Sequence, residues 1–183
     1  MAIQVTSHDS VALVTMDDGR VNAINTESCR ELSRILEEAE SSAAVVLTGR
    51  PRVFSAGLDL RALCGIGEEE AKTIFLTMSK AMEALMCFPR PIIAACSGHA
   101  IGGGACFAMA CDFRYANANF KFGIPIARTL GNCLSITNVS RLVEHAGIAR
   151  AKQVLMAGEL VRAEEALALG LVGEIVDAET IEA

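Results

Sequence analysis

The sequence predicts an α/β fold in one domain. Short apolar runs of strand length alternate with longer stretches of helical period along the chain, which is the pattern of strands and helices packed in layers. Three consecutive glycines, Gly102, Gly103 and Gly104, follow closely on one such apolar run. The chain has 183 residues and 52% hydrophobic content, enough for one sizeable core. No low-complexity linker or clean repeat of about 20 to 50 residues divides it, so residues 1–183 read as a single domain.

Val11–Met16 (VALVTM) is the first expected strand, entered from Ser7-His8-Asp9-Ser10. Asp17-Asp18-Gly19 is a turn. Val21–Asn25 leads to Thr26, an N-cap residue for the helix that follows. Within that helix Cys29, Leu32, Ile35, Leu36 and Ala39 recur at helical spacing and mark a core face. Ala43–Leu47 (AAVVL) is a buried strand ended by Thr48-Gly49. Leu58–Leu63 turns into helix. Glu68, Glu69 and Glu70 then open a long helix, with acids at the positive end of its dipole. Ala71, Ile74, Phe75, Met78, Met82, Leu85 and Met86 form its apolar face, and Pro89 and Pro91 stop it.

Ile92–Cys96 reads as a strand covered on both faces, followed by the glycine turn, a helix and a second strand ending at Ala116. Ala118–Gly123 is extended. Asn132 or Ser135 caps a helix containing Val139, Leu142 and Val143. Ile148–Met156 and Arg162–Leu169 are further helices, the latter closed by Gly170, and Leu171–Val176 is a final strand.

Composition excludes several classes. The formal charge is −6 with no lysine/arginine block, and aromatic residues are 4% with no Trp, so nucleic acid is not the expected partner. No apolar run is long enough to span a bilayer, and no basic-then-apolar leader opens the chain. The seven cysteines are an odd number without a C-x-x-C pair, which indicates neither a disulfide framework nor a zinc site and suits a reducing cytoplasm. The glycine run has two readings. Either a helix packs closely on a strand there, or a bare backbone offers its N–H groups to a ligand at the start of a helix. No Gly-Lys-Ser/Thr follows, so it is not a P-loop, and Gly98 to Gly102 has the wrong spacing for a dinucleotide fingerprint.

GHAIGGGACFAMACDFRYA (Gly98–Ala116), together with FSAGLDL (Phe54–Leu60) upstream, resembles the crotonase family, the enoyl-CoA hydratase/isomerase superfamily. Two separated motifs in the right order carry the match, and the likeness runs along nearly the whole chain. It implies a stacked ββα superhelix of the crotonase type, here without the C-terminal helical segment with which family members close the pocket and build a trimer or hexamer. It implies an acyl-CoA substrate, with coenzyme A as part of that substrate and no other cofactor or metal. By motif match, the N–H groups of Leu58 and Gly103 form an oxyanion hole for the thioester carbonyl. Ala23, Ala56, Gly57, Asp59, Leu60 and Gly102 border the substrate, as do Cys106, Ile126, Arg128 and Asn132 on segments that face the acyl group. Asp59 is expected to brace its loop. Arg20, Arg50, Arg52 and Arg61 are candidate cations for the nucleotide phosphates.

One departure from the family is chemical. Its hydratases use two glutamates, the first two residues after the third glycine and the second after F-G-x-P. Here Cys106 holds the first place, and Ile126, or Ala127 if one residue is inserted, holds the second. None of these moves a proton at carbon, and each missing acid/base is worth about 10²–10⁴ in rate. Hydration is therefore not expected. Three readings remain: an enzyme that works through an enolate without paired glutamates, a non-catalytic acyl-CoA-binding protein, and a serine peptidase on the related Clp-type fold through Ser97. His99 is the histidine nearest the glycines, and a satisfied structural role fits it best.

Overall fold

The computed structural model of the protein describes residues 2–182. The chain runs repeatedly through strand, strand and helix. Its strands are β1 (Ala2–His8), β2 (Val11–Asp17), β3 (Ala23–Ile24), β4 (Ala44–Thr48), β5 (Arg52–Ser55), β6 (Gly57–Leu58), β7 (Ile92–Cys96), β8 (Gly98–Ile101), β9 (Phe113–Ala116), β10 (Lys121–Gly123), β11 (Val161–Arg162) and β12 (Glu174–Ile175). Its helices are α1 (Thr26–Glu38), α2 (Glu68–Met86), α3 (Gly103–Ala110), α4 (Ile126–Thr129), α5 (Ile136–Lys152), α6 (Ala163–Ala168) and α7 (Ala178–Glu182).

The strands sort into sheets by their place in each ββα unit. The first strands, β2, β4, β7 and β9, lie side by side in a six-stranded sheet of order β1-β2-β4-β7-β9-β12. The second strands, β5, β8 and β10, lie in another sheet of order β11-β10-β8-β5, while β3 pairs with β6. Pairing between these strands is parallel except at two edges, the β1–β2 hairpin and the pairing of β10 with the distant β11. This is the expected ββα superhelix. The repeat leaves no clean period in the sequence because the units share geometry while their helices range from 4 to 19 residues.

The core lies between the large sheet and the helices. In β2 the burial alternates strictly, with Ala12, Val14 and Met16 inside. Opposite them, Cys29, Leu32, Ile35, Leu36 and Ala39 are all buried, as their spacing requires. On the other side of the sheet Val11, Leu13, Val46, Tyr115 and Val176 line an open groove of about 610 Å³. Only part of the α2 face is buried: Ile74, Met82 and Leu85, joined by Ala81. Ala71, Met78 and Met86 are half-buried and Phe75 is exposed, because the first half of this helix stands proud of the core.

Several elements differ from expectation. The N-cap of α1 is Asn25, one residue before Thr26. Its side chain accepts from Ser28 N at 2.9 Å, while Ser28 Oγ accepts from Asn25 N at 3.0 Å. Strand β1 precedes the first expected strand. It is almost wholly exposed, so its apolar signal is weak and its pairing with β2 defines it. A second strand, β8, stands where a turn was expected, so His99 lies inside a strand. Ser135, not Asn132, is the N-cap of α5; its side chain makes no capping bond and accepts instead from Asn138 Nδ2 at 3.1 Å. That helix is broken at Gly147 (φ 70°), and beyond the break it continues through a π turn at Gln153–Ala157. The final strand shrinks to Glu174–Ile175.

Asn22 ties these layers together. It is fully buried with φ 53°, and its Nδ2 donates to Met16 O (2.8 Å) and Phe54 O (3.1 Å), joining β2 to β5. Its carbonyl accepts from Ser55 Oγ at 2.7 Å. Asp18 closes the same turn, accepting from the amides of Arg20 (2.7 Å), Asn22 (2.9 Å) and Ala23 (2.9 Å). Burial alone would raise the Asp18 pKa, but the Ala23, Asn22 and Arg20 amides outweigh it and hold the carboxyl below its ordinary value.

Two outcomes follow for stability. Asn22→Ala leaves buried backbone acceptors unpaired, so urea unfolding should show a loss of at least about 2 kcal/mol. A depressed carboxylate pKa contributes stability that is complete above the unfolded value of about 3.9 and is lost as pH falls through the folded value. Asp18→Asn should therefore be less stable than wild type at neutral pH, with the two melting curves converging in acid.

Candidate functional site

Two stretches of bare backbone meet where β6 passes the turn between β8 and α3. Gly57 has φ +89°, and a Cβ there would lie 2.6 Å from both Gly103 N and Ile101 O. A Cβ on Gly104 would collide with the Ser55 carbonyl. Side chains are excluded from this contact on both sides, which is the close-packing reading of the glycine run.

The hydrogen-bond ladder shows which amides are left over. Ala56 N donates to Val21 O (2.9 Å), Gly57 N to Ser55 Oγ (3.1 Å) and Asp59 N to Ile24 O (2.8 Å). In the parallel β3–β6 pair Leu58 stands opposite Ile24. The residue opposite a carbonyl that bonds its successor turns its own N–H away from the partner strand. On the other stretch, Gly102 N is held by Gly123 O at 2.8 Å, and the first α3 bond runs from Cys106 N to Gly102 O at 3.1 Å. Gly103 is the first helical residue, so its N–H has no acceptor within the helix. A Cβ built on Gly103 would lie 3.4 Å from Leu58 N, which places the two unspent donors side by side. Adjacent donors of this kind, at the positive end of a helix, can both reach one oxygen and stabilise negative charge on it.

Of the residues singled out from the sequence, Ala23, Ala56, Gly57, Leu58, Gly102 and Gly103 come together at this contact. Asp59 Oδ1 accepts from Arg61 N at 3.0 Å and caps the short turn Leu60–Leu63, the brace expected of it. Leu60 is exposed. Cys106 lies one turn along α3 from Gly103 and is buried, and burial pushes its thiol up to about 12. Such a thiol is neither nucleophile nor base at neutral pH. Ile126 begins α4, half-buried. Arg128 is exposed, with Nη1 donating to Ala157 O at 3.4 Å and its stem against Gly158. Asn132 is exposed and uses its Oδ1 on Cys133 N at 2.8 Å. These last three sit on the segment that follows directly from Gly123, the residue that holds Gly102. Across 21–25, 56–60, 101–106 and 124–132 the only acidic residue is Asp59.

Other candidates fall elsewhere. Ser97 is fully buried, and its Oγ donates to Arg50 O at 2.9 Å, so it is a structural hydroxyl and not a peptidase nucleophile. Among the described residues the buried Nδ1 of His99 has no partner, and burial together with Lys121 lowers the His99 pKa. Arg50 lies 3.7 Å from Asp17, donates to Arg20 O at 3.2 Å and lines the groove on the outer face of the large sheet. Among the described residues no group of His, Cys, Asp and Glu is arranged to hold a metal, and no helix is long and apolar enough to cross a membrane. Sequence reasoning missed Asn22 and Ser55, which fix the Ala56–Leu58 backbone. An asparagine between a turn and a two-residue strand was the available signal.

Known proteins resemble this chain in sequence and in fold along nearly its whole length. The family model for enoyl-CoA hydratase/isomerase matches residues 6–183. A probable enoyl-CoA hydratase of Bacillus subtilis (strain 168) is 36% identical over 187 residues, covering 99% of this chain and 72% of the relative. A short-chain-enoyl-CoA hydratase of Clostridium acetobutylicum is 33% identical over 172 residues, covering 91% of this chain and 66% of the relative. The solved structure of an enoyl-CoA hydratase from Bacillus anthracis superposes with a TM-score of 0.92 at 31% identity, over 98% of this chain and 72% of that one. The chain thus spans roughly two thirds to three quarters of the length of these proteins.

Thiol burial is directly testable. Brief iodoacetamide treatment at neutral pH, followed by peptide mass mapping, should modify the exposed Cys64, Cys87 and Cys133 and spare Cys29, Cys96, Cys106 and Cys111. Ready modification of Cys106 in the native protein would contradict the burial assigned to it.

Proposed function

Because the chain belongs to the enoyl-CoA hydratase/isomerase family, the crotonase superfamily, we propose that it binds an acyl-CoA thioester with the carbonyl oxygen between the Leu58 and Gly103 amides. The single observation that supports this is the pair of adjacent, unspent main-chain donors at the Gly57–Gly103 contact. Each donor of this type is worth about 2.7–4 kcal/mol where charge develops on an acyl oxygen. Here that charge is the enolate formed beside the thioester.

Hydration requires groups that activate water and deliver a proton to carbon, and Cys106 and Ile126 do neither. The reaction that suits the site generates its own enolate. In decarboxylation of a malonyl-type thioester the bond from the α carbon to the carboxylate breaks and carbon dioxide leaves. The bonding pair becomes the enolate, and a solvent proton completes the α carbon. Arg128, with most of its donors unspent, is the candidate partner for that carboxylate before it leaves. The second reading is a protein that binds acyl-CoA without turning it over, favoured by the lack of any carboxylate but Asp59 among the site segments. Coenzyme A enters as part of the substrate and no further cofactor is invoked. A cytoplasmic setting and assembly into a homotrimer or hexamer go with the same reading.

The test is mass spectrometry of a panel of acyl-CoA thioesters incubated with the protein in heavy water, with Gly103→Pro, which lacks the amide proton, as control. The expected result is loss of carbon dioxide with deuterium at the α carbon from a malonyl-type substrate, in wild type only. Crotonyl-CoA should gain no water at a useful rate. Brisk hydration would overturn the roles given to Cys106 and Ile126. Tight binding with no mass change across the panel would establish the binding protein instead.

A further inference from the structure

We infer that Arg114 is a positioning residue for the oxyanion site, holding the far end of α3 so that the Gly103 amide at its near end stays beside Leu58. The inference rests on the proposed role of those two amides and deepens it.

Arg114 lies on β9 and is only 8% exposed. Among the described residues no carboxylate oxygen lies within ion-pair distance of its guanidinium, an unusual condition for a buried cation. Its donors go to carbonyl groups instead. Nε donates to Leu171 O at 2.7 Å, and Nη1 donates to Cys111 O at 2.7 Å and Ala108 O at 3.4 Å. Nη2 lies 3.5 Å from His145 Nε2. Ala108 and Cys111 are at the C-terminus of α3, where helical carbonyls lack internal partners. Arg141 adds a third bond there, from Nη1 to Met109 O at 2.7 Å.

The planar guanidinium therefore does two things to one short helix. It fixes the end of α3 against β9 and the Leu171 backbone, and it sets positive charge against the negative end of the dipole. The helix is 8 residues long, about 12 Å from end to end, and apolar along its length. A rigid rod of that length transmits a tilt at one end into a displacement of the amide at the other. A lysine keeps the charge but cannot bond the Leu171 and Cys111 carbonyls together in one plane.

The test separates enolate stabilisation from ordinary binding. Acetoacetyl-CoA, a β-keto thioester, is bound to wild type, Arg114→Lys and Arg114→Met at one fixed mildly alkaline pH. Near-ultraviolet absorbance then gives the ratio of enolate to keto form, and calorimetry gives the Kd of butyryl-CoA, a neutral thioester. Wild type should enrich the enolate over free solution. Arg114→Met should lower the bound enolate ratio by about tenfold or more, a fraction of the loss seen when a whole donor is removed. Its butyryl-CoA Kd should move by less than about threefold, and Arg114→Lys should fall between. If Arg114→Met does not fold, Arg114→Lys against wild type carries the test, with a lowered enolate ratio at unchanged butyryl-CoA affinity expected. A folded variant with the wild-type enolate ratio, or one in which both readouts fall by the same factor, would overturn the positioning role. If wild type itself does not enrich the enolate, the assignment of Leu58 and Gly103 fails, and the inference with it.

Discussion

The contact between Gly57 and the Gly102–Gly104 turn is the constraint from which the rest of the molecule is built. A backbone without side chains must pass within van der Waals distance of another, and every neighbouring element serves that approach. Strand β5 delivers the chain by pairing with β8, and β3 holds β6 from the other side. Ser55 is shared: its Oγ donates to the Asn22 carbonyl and accepts from Gly57 N. Gly123 fixes the turn from below through Gly102. Two adjacent strands of different sheets and the start of a helix are thus locked by main-chain bonds, with one buried asparagine and one buried serine as the side-chain fasteners.

The chemistry available there follows from what the lock leaves unbonded. Leu58 and Gly103 keep free amides because the ladder steps past one and the helix begins at the other. Their surroundings are apolar, with Ile24 Cδ1 next to Gly103 and buried Cys106 one helical turn away. In such surroundings a dipole aimed at developing charge acts more strongly than in water. Asp59 is the one carboxylate on the segments around these amides, and it is spent on capping the turn that follows it.

Burial patterns made much of the fold readable from the sequence. The α1 face and the alternation in β2 were plain because a single period runs through each. Pairing-dependent elements were not. Strand β1 has little apolar signal of its own, and β8, rich in glycine and alanine, has low intrinsic strand preference and exists because β5 and β10 flank it. Thr26 looked like a cap, yet the reciprocal bonds of Asn25 and Ser28 moved the helix start by one residue. The site's identity came from motif resemblance. Its support, from Asn22 and Ser55, depends on contacts more than 30 residues apart in the chain, which no local pattern announces.

Building this contact from the peptide backbone also decides how the protein can change over generations. Substitutions at Leu58 or at Cys106 replace a side chain and leave both amides where they are. An alanine scan would pass over the Gly57–Gly103 contact almost silently, registering only collapse when a glycine gains a carbon. Selection can therefore rework the side chains around the contact while its main-chain geometry is inherited intact.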